Sequence, residues 1–233
     1  MRTADAAADI PEVKIICALA LLSTVEVTGL SMPVSSKREP IQNAVHLALD
    51  MQNIFARGGI WETPWMERVL PTLIAITNAN PARTVLTRFI TPVHGSDRPG
   101  RWQKYYQKWE HATRSRLPAT HLDIVPALAR FVPPATVIDK PAYSAFSETN
   151  LSSFLLSKSV STLIVTGAET DVCVLSTVLD AVDIGFRVVV VEDGLCSSSD
   201  EGHDALMTLY RKRYSEQIEL RSHAEVLELW QDE

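Results

Sequence analysis

The stretch TLIVTGAETDVCVLSTVLDAVDIGFRVVVVE, residues 162–192, holds two apolar strand-like runs with a helical pattern between them. The runs Thr162–Ala168 and Arg187–Glu192 are rich in β-branched residues and lack polar alternation, which is typical of strands buried on both faces. Gly185 falls just after the helical pattern Asp171–Ile184, at a position where glycine commonly ends a helix. This stretch therefore predicts a strand–helix–strand unit of a parallel sheet.

The same alternation extends over residues 44–233, with no linker long enough to divide them. It predicts one α/β domain whose mostly parallel sheet carries helices on both faces. The other strand candidates are Ala44–Asp50, Thr84–Thr91, Thr136–Lys140 and Ile218–Arg221. The other helical patterns are Pro64–Asn78, Trp102–Trp109, Leu122–Phe131, Asn150–Ser159, Asp200–Tyr214 and His223–Trp230.

The amino-acid composition of the chain limits the kinds of molecule that it is expected to bind. The chain has 233 residues, of which 46% are hydrophobic and 21% charged, as in a folded globular protein. A net charge of -6 argues against nucleic acid or an anionic membrane as a partner, so we expect a small-molecule substrate. No apolar run reaches the roughly 18 residues of a membrane span. Three cysteines without close spacing indicate reduced thiols, and we expect a cytoplasmic protein.

We interpret residues 1–43 as an N-terminal extension, either disordered or produced by a misplaced start. Met32 opens the stretch MPVSSKREPIQNAV, which is typical of a natural protein start. The apolar run Ile15–Leu22 is too closely flanked by acidic residues to be a good secretion signal. The predicted domain therefore spans residues 44–233.

Three of the predicted strands lead to reactive side chains. The first ends in Asp50, the third ends in Lys140, and the fourth runs through a glycine turn toward Cys173. Because the carboxyl ends of parallel strands meet at one edge of a sheet, these residues are expected to converge. The sequence thus predicts an acid, an amine and a thiol in one site.

These three groups could perform covalent acyl transfer. Cys173 lies in the first turn of a predicted helix, where free N–H groups and a nearby lysine would favour a thiolate. A carboxylate could take the thiol proton and return it to a leaving group, and backbone N–H groups of the turn could hold an oxyanion. We therefore expect an ionised sulfur, a thioester intermediate and its hydrolysis.

Each of the three residues also has a purely structural interpretation. Cys173 could fill the core, Asp50 could cap a helix or a loop, and Lys140 could be a solvated charge. Their predicted convergence favours catalysis. A non-catalytic α/β module that binds a small molecule or a protein remains the alternative.

Three sequence blocks resemble the isochorismatase-like cysteine hydrolases: DMQNIF (residues 50–55), KPAYSAF (140–146) and GAETDVCVLST (167–177). The similarity covers roughly residues 44–215. It implies a three-layer α/β/α, Rossmann-like domain of about six mostly parallel strands. It also implies a catalytic triad in which Cys173 is the nucleophile, Asp50 is the general base and acid, and Lys140 orients and polarises the pair.

The resemblance further implies a cis peptide between Ala168 and Glu169, in the turn that continues through Thr170. This turn would direct the N–H groups of Glu169 and Cys173 at the oxyanion. Glu169 departs from the small apolar residue expected there, so its side chain is free to enter the pocket and alter selectivity.

Substrate contacts are assigned to the first two blocks and to the segment RPGRWQKYY, residues 98–106, which we interpret as covering the substrate. For any single aromatic of this set, packing of a helix on the sheet is an equal alternative. The assigned residues are Gln52, Phe55, Trp102, Tyr105, Tyr106 and Tyr143.

The nicotinamidase branch of the family binds a metal through an Asp-x-His pair and further histidines. The corresponding region here, RFITPVHG (residues 88–95), has only His94, so we expect no catalytic metal, no cofactor and no nicotinamidase activity. We interpret Asp193 and His203 as structural and Cys196, in the predicted loop after the fifth strand, as a bystander.

The favoured function is metal-independent hydrolysis of the C–N bond of a small amide, carbamoyl or ureido compound. Isochorismatase-type cleavage of a vinyl ether is the alternative within the fold, because that chemistry does not require a thiol. The resemblance also implies a homo-oligomer, either a dimer or a tetramer.

Overall fold

The structure is a computed structural model that describes residues 39–231. Cys17 and the proposed start at Met32 lie outside the described residues, and so does the predicted extension except for its last five positions. No helix within residues 39–231 has the length and apolarity needed to cross a bilayer.

Six parallel strands form one sheet in the order β3-β2-β1-β4-β5-β6. From β1 the chain adds β2 and β3 on one side of the sheet, and then β4, β5 and β6 on the other side. The strand order therefore reverses between β1 and β4. Ligands of such sheets bind beyond the carboxyl ends of the strands at this reversal. The bounds are β1 Ala44–Leu49, β2 Thr84–Phe89, β3 Thr136–Lys140, β4 Thr162–Ala168, β5 Arg187–Cys196 and β6 Ile218–Arg221.

Helices cover both faces of the sheet, which confirms the predicted three-layer α/β fold. Alternate residues of β1 divide between the layers: Val45 and Leu47 pack with α4, α5 and α6, whereas Ala44 and Ala48 pack on the side of α1, α3 and α7. The helices are α1 Met66–Ala79, α2 Arg101–Lys108, α3 Pro126–Ala129, α4 Leu151–Ser157, α5 Leu175–Ile184, α6 Asp200–Arg213 and α7 His223–Leu229.

Two predicted helices differ from the observed ones. The pattern Leu122–Phe131 contains only the short helix α3, because Pro126 fixes its first turn and the segment before it forms an irregular loop. The pattern Asp171–Ile184 opens with a π-helical turn, Thr170–Val174, and becomes α-helical only at Leu175. As predicted, Gly185 ends this helix in the left-handed conformation, with φ of 100°.

The fifth strand is longer than predicted and changes the position of Cys196. The polar residues Glu192 and Asp193 were expected to end the strand, but an irregularity in the pairing between Val165 and Gly167 lets β5 continue. Cys196 is therefore the buried last residue of β5, with Sγ 3.8 Å from the carbonyl oxygen of Gly167, and the prediction of a loop position was wrong.

Gly167 sets the spacing of β1 and β4 beside the predicted site. Its φ is 111°, in the region that favours glycine, and a Cβ at this position would lie 2.1 Å from the carbonyl oxygen of Leu49. Any side chain here would push apart the two strands that lead to Asp50 and Cys173.

A buried histidine in β1 makes stability depend on pH. His46 is fully buried between Thr166 and Thr77, with Nε2 2.8 Å from one hydroxyl and Nδ1 3.3 Å from the other. Burial lowers the pKa of His46 from 6.5 to about 3, so the folded state keeps the ring neutral.

As the pH falls below 6.5, the His46 ring binds a proton in the unfolded state, whereas in the folded state it stays neutral down to about pH 3. We expect this residue to lower the free energy of unfolding by about 1.4 kcal/mol per pH unit in that window. His46→Gln should remove that part of the slope in urea titrations between about pH 6 and 4. An unchanged slope would show that the histidine charges in the fold.

Candidate active site

Asp50 and Lys140 meet at the carboxyl edge of the sheet, across the end of β2. Asp50 follows β1 directly in a left-handed conformation with φ of 52°, which aspartate tolerates better than most residues. Lys140 Nζ lies 2.7 Å from Asp50 Oδ2, and both side chains are 0% exposed. An ion pair excluded from water in this way is fixed in one geometry and unscreened by salt.

Both members of this ion pair make further hydrogen bonds to neighbouring residues. Asp50 Oδ1 accepts a hydrogen bond of 2.6 Å from the hydroxyl of Thr87 in β2. The lysine ammonium donates to the carbonyl oxygens of Ala142 at 3.0 Å and Tyr143 at 2.9 Å, and it lies 5.1 Å from the ring centroid of Phe89. Two carbonyls, a carboxylate and an aromatic face all favour the protonated amine.

Cys173 lies in the π-helical turn after β4, and its sulfur is near enough to Asp50 and Lys140 to interact electrostatically with both. Burial lowers the pKa of the Lys140 ammonium, but attraction to Asp50 and Cys173 outweighs it, so the pKa is raised overall. The structure thus brings the predicted acid, amine and thiol together.

The protonation of the sulfur differs from the expectation. Burial raises the pKa of the Cys173 thiol well above its ordinary value; Lys140 lowers it and Asp50 raises it further. The reason is charge balance: Asp50 and Lys140 already neutralise each other, so a thiolate would add an unpaired buried negative charge. Burial and this charge balance therefore favour a protonated sulfur, in contrast to the thiolate expected from the sequence.

The turn between β4 and Cys173 is anchored through its backbone and through Thr170. The Ala168–Glu169 peptide is cis, and the N–H groups of Val172 and Val174 both donate to the carbonyl oxygen of Glu169 at 3.1 Å. The buried Thr170 hydroxyl lies 3.2 Å from the Cys196 carbonyl and 2.9 Å from Nδ1 of His203. Thr170 thus connects the turn to β5 and α6.

A cavity of about 540 Å³ opens in front of the sulfur. Five residues named from the sequence line it, namely Phe55, Tyr105, Tyr143, Glu169 and Cys173. It is large enough for a small organic substrate, and six of its thirteen described lining residues are aromatic. Glu169, which departs from the family pattern, is among the residues that line the cavity.

Gln52 does not line the cavity, although the sequence analysis assigned it to substrate binding. Its side chain is fully buried and its amide is occupied on both sides. Nε2 donates to the carbonyl oxygens of Phe89 at 3.2 Å and Leu122 at 2.8 Å, and Oε1 accepts from the N–H of Phe89 at 2.7 Å. Gln52 therefore ties the end of β2 to a loop.

Trp102 and Tyr106 are also absent from the cavity wall. On α2 only Tyr105 faces the cavity; Tyr106, one residue or about 100° further around the helix, is buried in the protein. Trp102 lies behind Tyr143, with ring centroids 4.8 Å apart. These two aromatics pack the helix, which is the alternative that the sequence left open.

Sequence reasoning missed the aromatic ring at the centre of the cavity wall. Trp61, in the irregular loop between β1 and α1, lies 5.8 Å from Phe55, 5.9 Å from Phe89 and 5.9 Å from Trp109 between ring centroids. Phe89 ends β2, so the strand-end argument could have identified it. The position of Trp61 depends on a loop with no periodic pattern and carried no such signal.

The other polar residues singled out from the sequence make contacts within the fold. The N–H of His94 donates to Asp97 at 2.8 Å, and Asp193 accepts from the N–H of His223 at 2.9 Å at the start of α7. His203 packs its ring against Trp65, with centroids 5.0 Å apart. In residues 39–231, no three His, Cys, Asp or Glu side chains are grouped to hold a metal ion. The absence of a catalytic metal stays a prediction.

Known proteins with similar sequences include amidases. A probable inactive nicotinamidase of Arabidopsis thaliana is 28% identical over 170 residues, covering 70% of this chain and 86% of that protein. An N-carbamoylsarcosine amidase of an Arthrobacter species is 35% identical over 156 residues, covering 61% of this chain and 55% of the relative.

Solved structures share the fold. A cysteine hydrolase of Pseudomonas syringae pv. phaseolicola superposes with a TM-score of 0.70 at 24% identity, covering 82% of this chain and 94% of that one. The isochorismatase domain model matches residues 44–222, which include all three reactive residues. This chain therefore belongs to the isochorismatase family of hydrolases.

Proposed function

We propose that this hydrolase cleaves the C–N bond of a small amide, carbamoyl or ureido compound through a thioester on Cys173, without a metal ion. One observation carries the proposal: the thiol lines a substrate-sized cavity and lies beside a buried Asp50–Lys140 ion pair. The names of relatives such as the N-carbamoylsarcosine amidase support C–N chemistry.

In the first half-reaction, Sγ attacks the carbonyl carbon and its proton passes to Asp50 as the S–C bond forms. The carbonyl oxygen becomes an oxyanion that we expect the N–H groups of Glu169 and Cys173 to bind. Collapse of this intermediate breaks the C–N bond, and Asp50 returns the proton to the leaving nitrogen.

In the second half-reaction, Asp50 takes a proton from water as the water oxygen attacks the thioester. The carboxylic product leaves, and the proton returns to the sulfur. Lys140 stays protonated throughout, holds Asp50 in place and compensates the negative charge that develops on the sulfur. Its three polar contacts and the Phe89 ring support this constant charge.

Trapping the thioester tests the proposal. The wild-type protein is incubated with a panel of small primary amides, ureides and isochorismate, quenched in acid and analysed by peptide mass spectrometry. We expect an acyl adduct on Cys173 with at least one C–N substrate, and none on the Cys173→Ala variant. Cys196→Ala is the matched control, because it removes another buried thiol and should still form the adduct.

Turnover of isochorismate by Cys173→Ala would instead establish the vinyl ether alternative. Binding without turnover or adduct across the panel would favour the non-catalytic alternative. The cytoplasm as the site of action is part of the proposal, supported by two unpaired cysteines among the described residues. The homo-oligomer implied by the family resemblance stays a prediction.

A further inference from the structure

The wall of the cavity in front of Cys173 contains a cluster of aromatic rings centred on Trp61. Besides its contacts to Phe55, Phe89 and Trp109, the Trp61 ring lies 6.2 Å from that of Tyr105. Tyr143 completes the wall. Aromatic faces carry partial negative charge, so such a wall attracts cations as well as apolar groups.

The charged residues of the cavity wall have one sign. Glu62 and Glu169 line the cavity, and the described residues that line it include no lysine and no arginine. Lys140 lies beyond this wall, where Asp50 and two carbonyl oxygens occupy it. The ionisable carboxyl groups that line the space open to a substrate, those of Glu62 and Glu169, are therefore not accompanied by a lining lysine or arginine.

Glu169 is the acidic group placed nearest to the chemistry, because it belongs to the turn that carries the nucleophile. Its Oε1 accepts a hydrogen bond of 3.2 Å from the hydroxyl of Thr63, and Ser198 contacts the same carboxyl group. Burial raises the pKa of this carboxyl, with nearby Asp171 adding to the effect. Burial thus disfavours the charged form of this carboxyl, and a cation beside it would offset that penalty.

We infer that the substrate carries a cationic group, an ammonium or alkylammonium, besides the carbonyl carbon that Cys173 attacks. The aromatic wall and Glu169 supply the two features that recognise such a group, a π surface and a carboxylate at close range. An anionic amide would instead bring a second negative charge beside a partly desolvated carboxylate. This inference rests on the proposed C–N hydrolysis and specifies its substrate class.

A pair of isosteric amides separates charge from shape. Trimethylammonioacetamide and 3,3-dimethylbutanamide differ only in nitrogen or carbon at the branching atom, and malonamate supplies an anionic counterpart. We expect kcat/KM for the cationic amide to exceed that for its neutral isostere by about ten-fold or more, with malonamate slowest. Equal values for the isosteres, or preference for malonamate, would overturn the inference.

Variants assign the preference to Glu169. Glu169→Gln should lower the cationic-to-neutral ratio of kcat/KM by about ten-fold, and the loss should lie mainly in KM. Glu216→Gln removes an equal charge from an exposed turn and should leave the ratio unchanged. An unchanged ratio in Glu169→Gln would refute the role of this carboxylate, with circular dichroism confirming that the variant is folded.

Binding to Cys173→Ala keeps this inference separate from the proposed function. Trp61 and Trp109 line the cavity, so quenching of tryptophan fluorescence reports the affinity for each amide without turnover. Preferential binding of the cationic amide with no hydrolysis by the wild type would refute C–N hydrolysis and retain the cation site. Hydrolysis of both isosteres at equal rates would support C–N hydrolysis and refute the cation site.

Discussion

Cys173→Ala is expected to lower kcat/KM for the best C–N substrate by about 10⁵-fold, because the proposed thioester forms on this sulfur. The side chain is 5% exposed and lines the cavity, so its removal enlarges the cavity without uncovering an unpaired charge. Product formation followed by mass spectrometry under single-turnover conditions measures the loss. The melting temperature should stay within a few degrees of the wild type.

Cys196→Ala provides the comparison, because Cys196 is equally buried but faces Gly167 instead of the cavity. Its activity should remain within about three-fold of the wild type, as expected for a small packing change away from the reacting atoms. If the two alanine variants lost activity equally, the effect would be one of folding, and Cys173 would lose its role as nucleophile.

Breaking the Asp50–Lys140 pair is expected to have the largest effect on stability. Lys140→Met leaves the fully buried Asp50 with the Thr87 hydroxyl as its remaining side-chain hydrogen-bond partner. Asp50→Asn leaves the buried ammonium with two carbonyl oxygens. Each single variant should lower the free energy of unfolding by about 3–5 kcal/mol, measured by urea denaturation, because one buried charge remains uncompensated.

The double variant Asp50→Asn/Lys140→Met distinguishes stability from catalysis. It removes both charges, so most of the lost stability should return, as observed when buried pairs are replaced together. Turnover should stay about 10³-fold or more below the wild type, because no group remains to move the proton. A double variant that recovers activity with stability would show that the pair serves only to hold the fold.

The parts of the fold that follow from local sequence were predicted well. The fully buried strand Thr162–Ala168 has no solvent-exposed face, so its apolar run marks both of its bounds. The meeting of Asp50, Lys140 and Cys173 follows from the rule that parallel strands end at one edge. These inferences need topology and no side-chain detail.

The failures came from features that depend on tertiary packing. Tyr105 and Tyr106 are adjacent in sequence, and only the rotation of α2 about its axis decides which one faces the substrate. The sequence predicts that Gln52 can bind substrate, because it does not show that the backbone of Phe89 occupies the side-chain amide of Gln52. The protonation of Cys173 depends on burial and on the net charge of its neighbours, which the sequence does not specify.

Part of the cavity wall is carried by segments of the chain other than those that hold Asp50 and Lys140. Asp50 and Lys140 are attached at the ends of sheet strands, whereas Trp61, Glu62 and Trp109 belong to connecting segments that no strand constrains. Mutations in those segments can retarget the enzyme while leaving its reactive centre intact. Descendants and engineered variants of this scaffold should therefore differ in substrate specificity before they differ in the reaction that they catalyse.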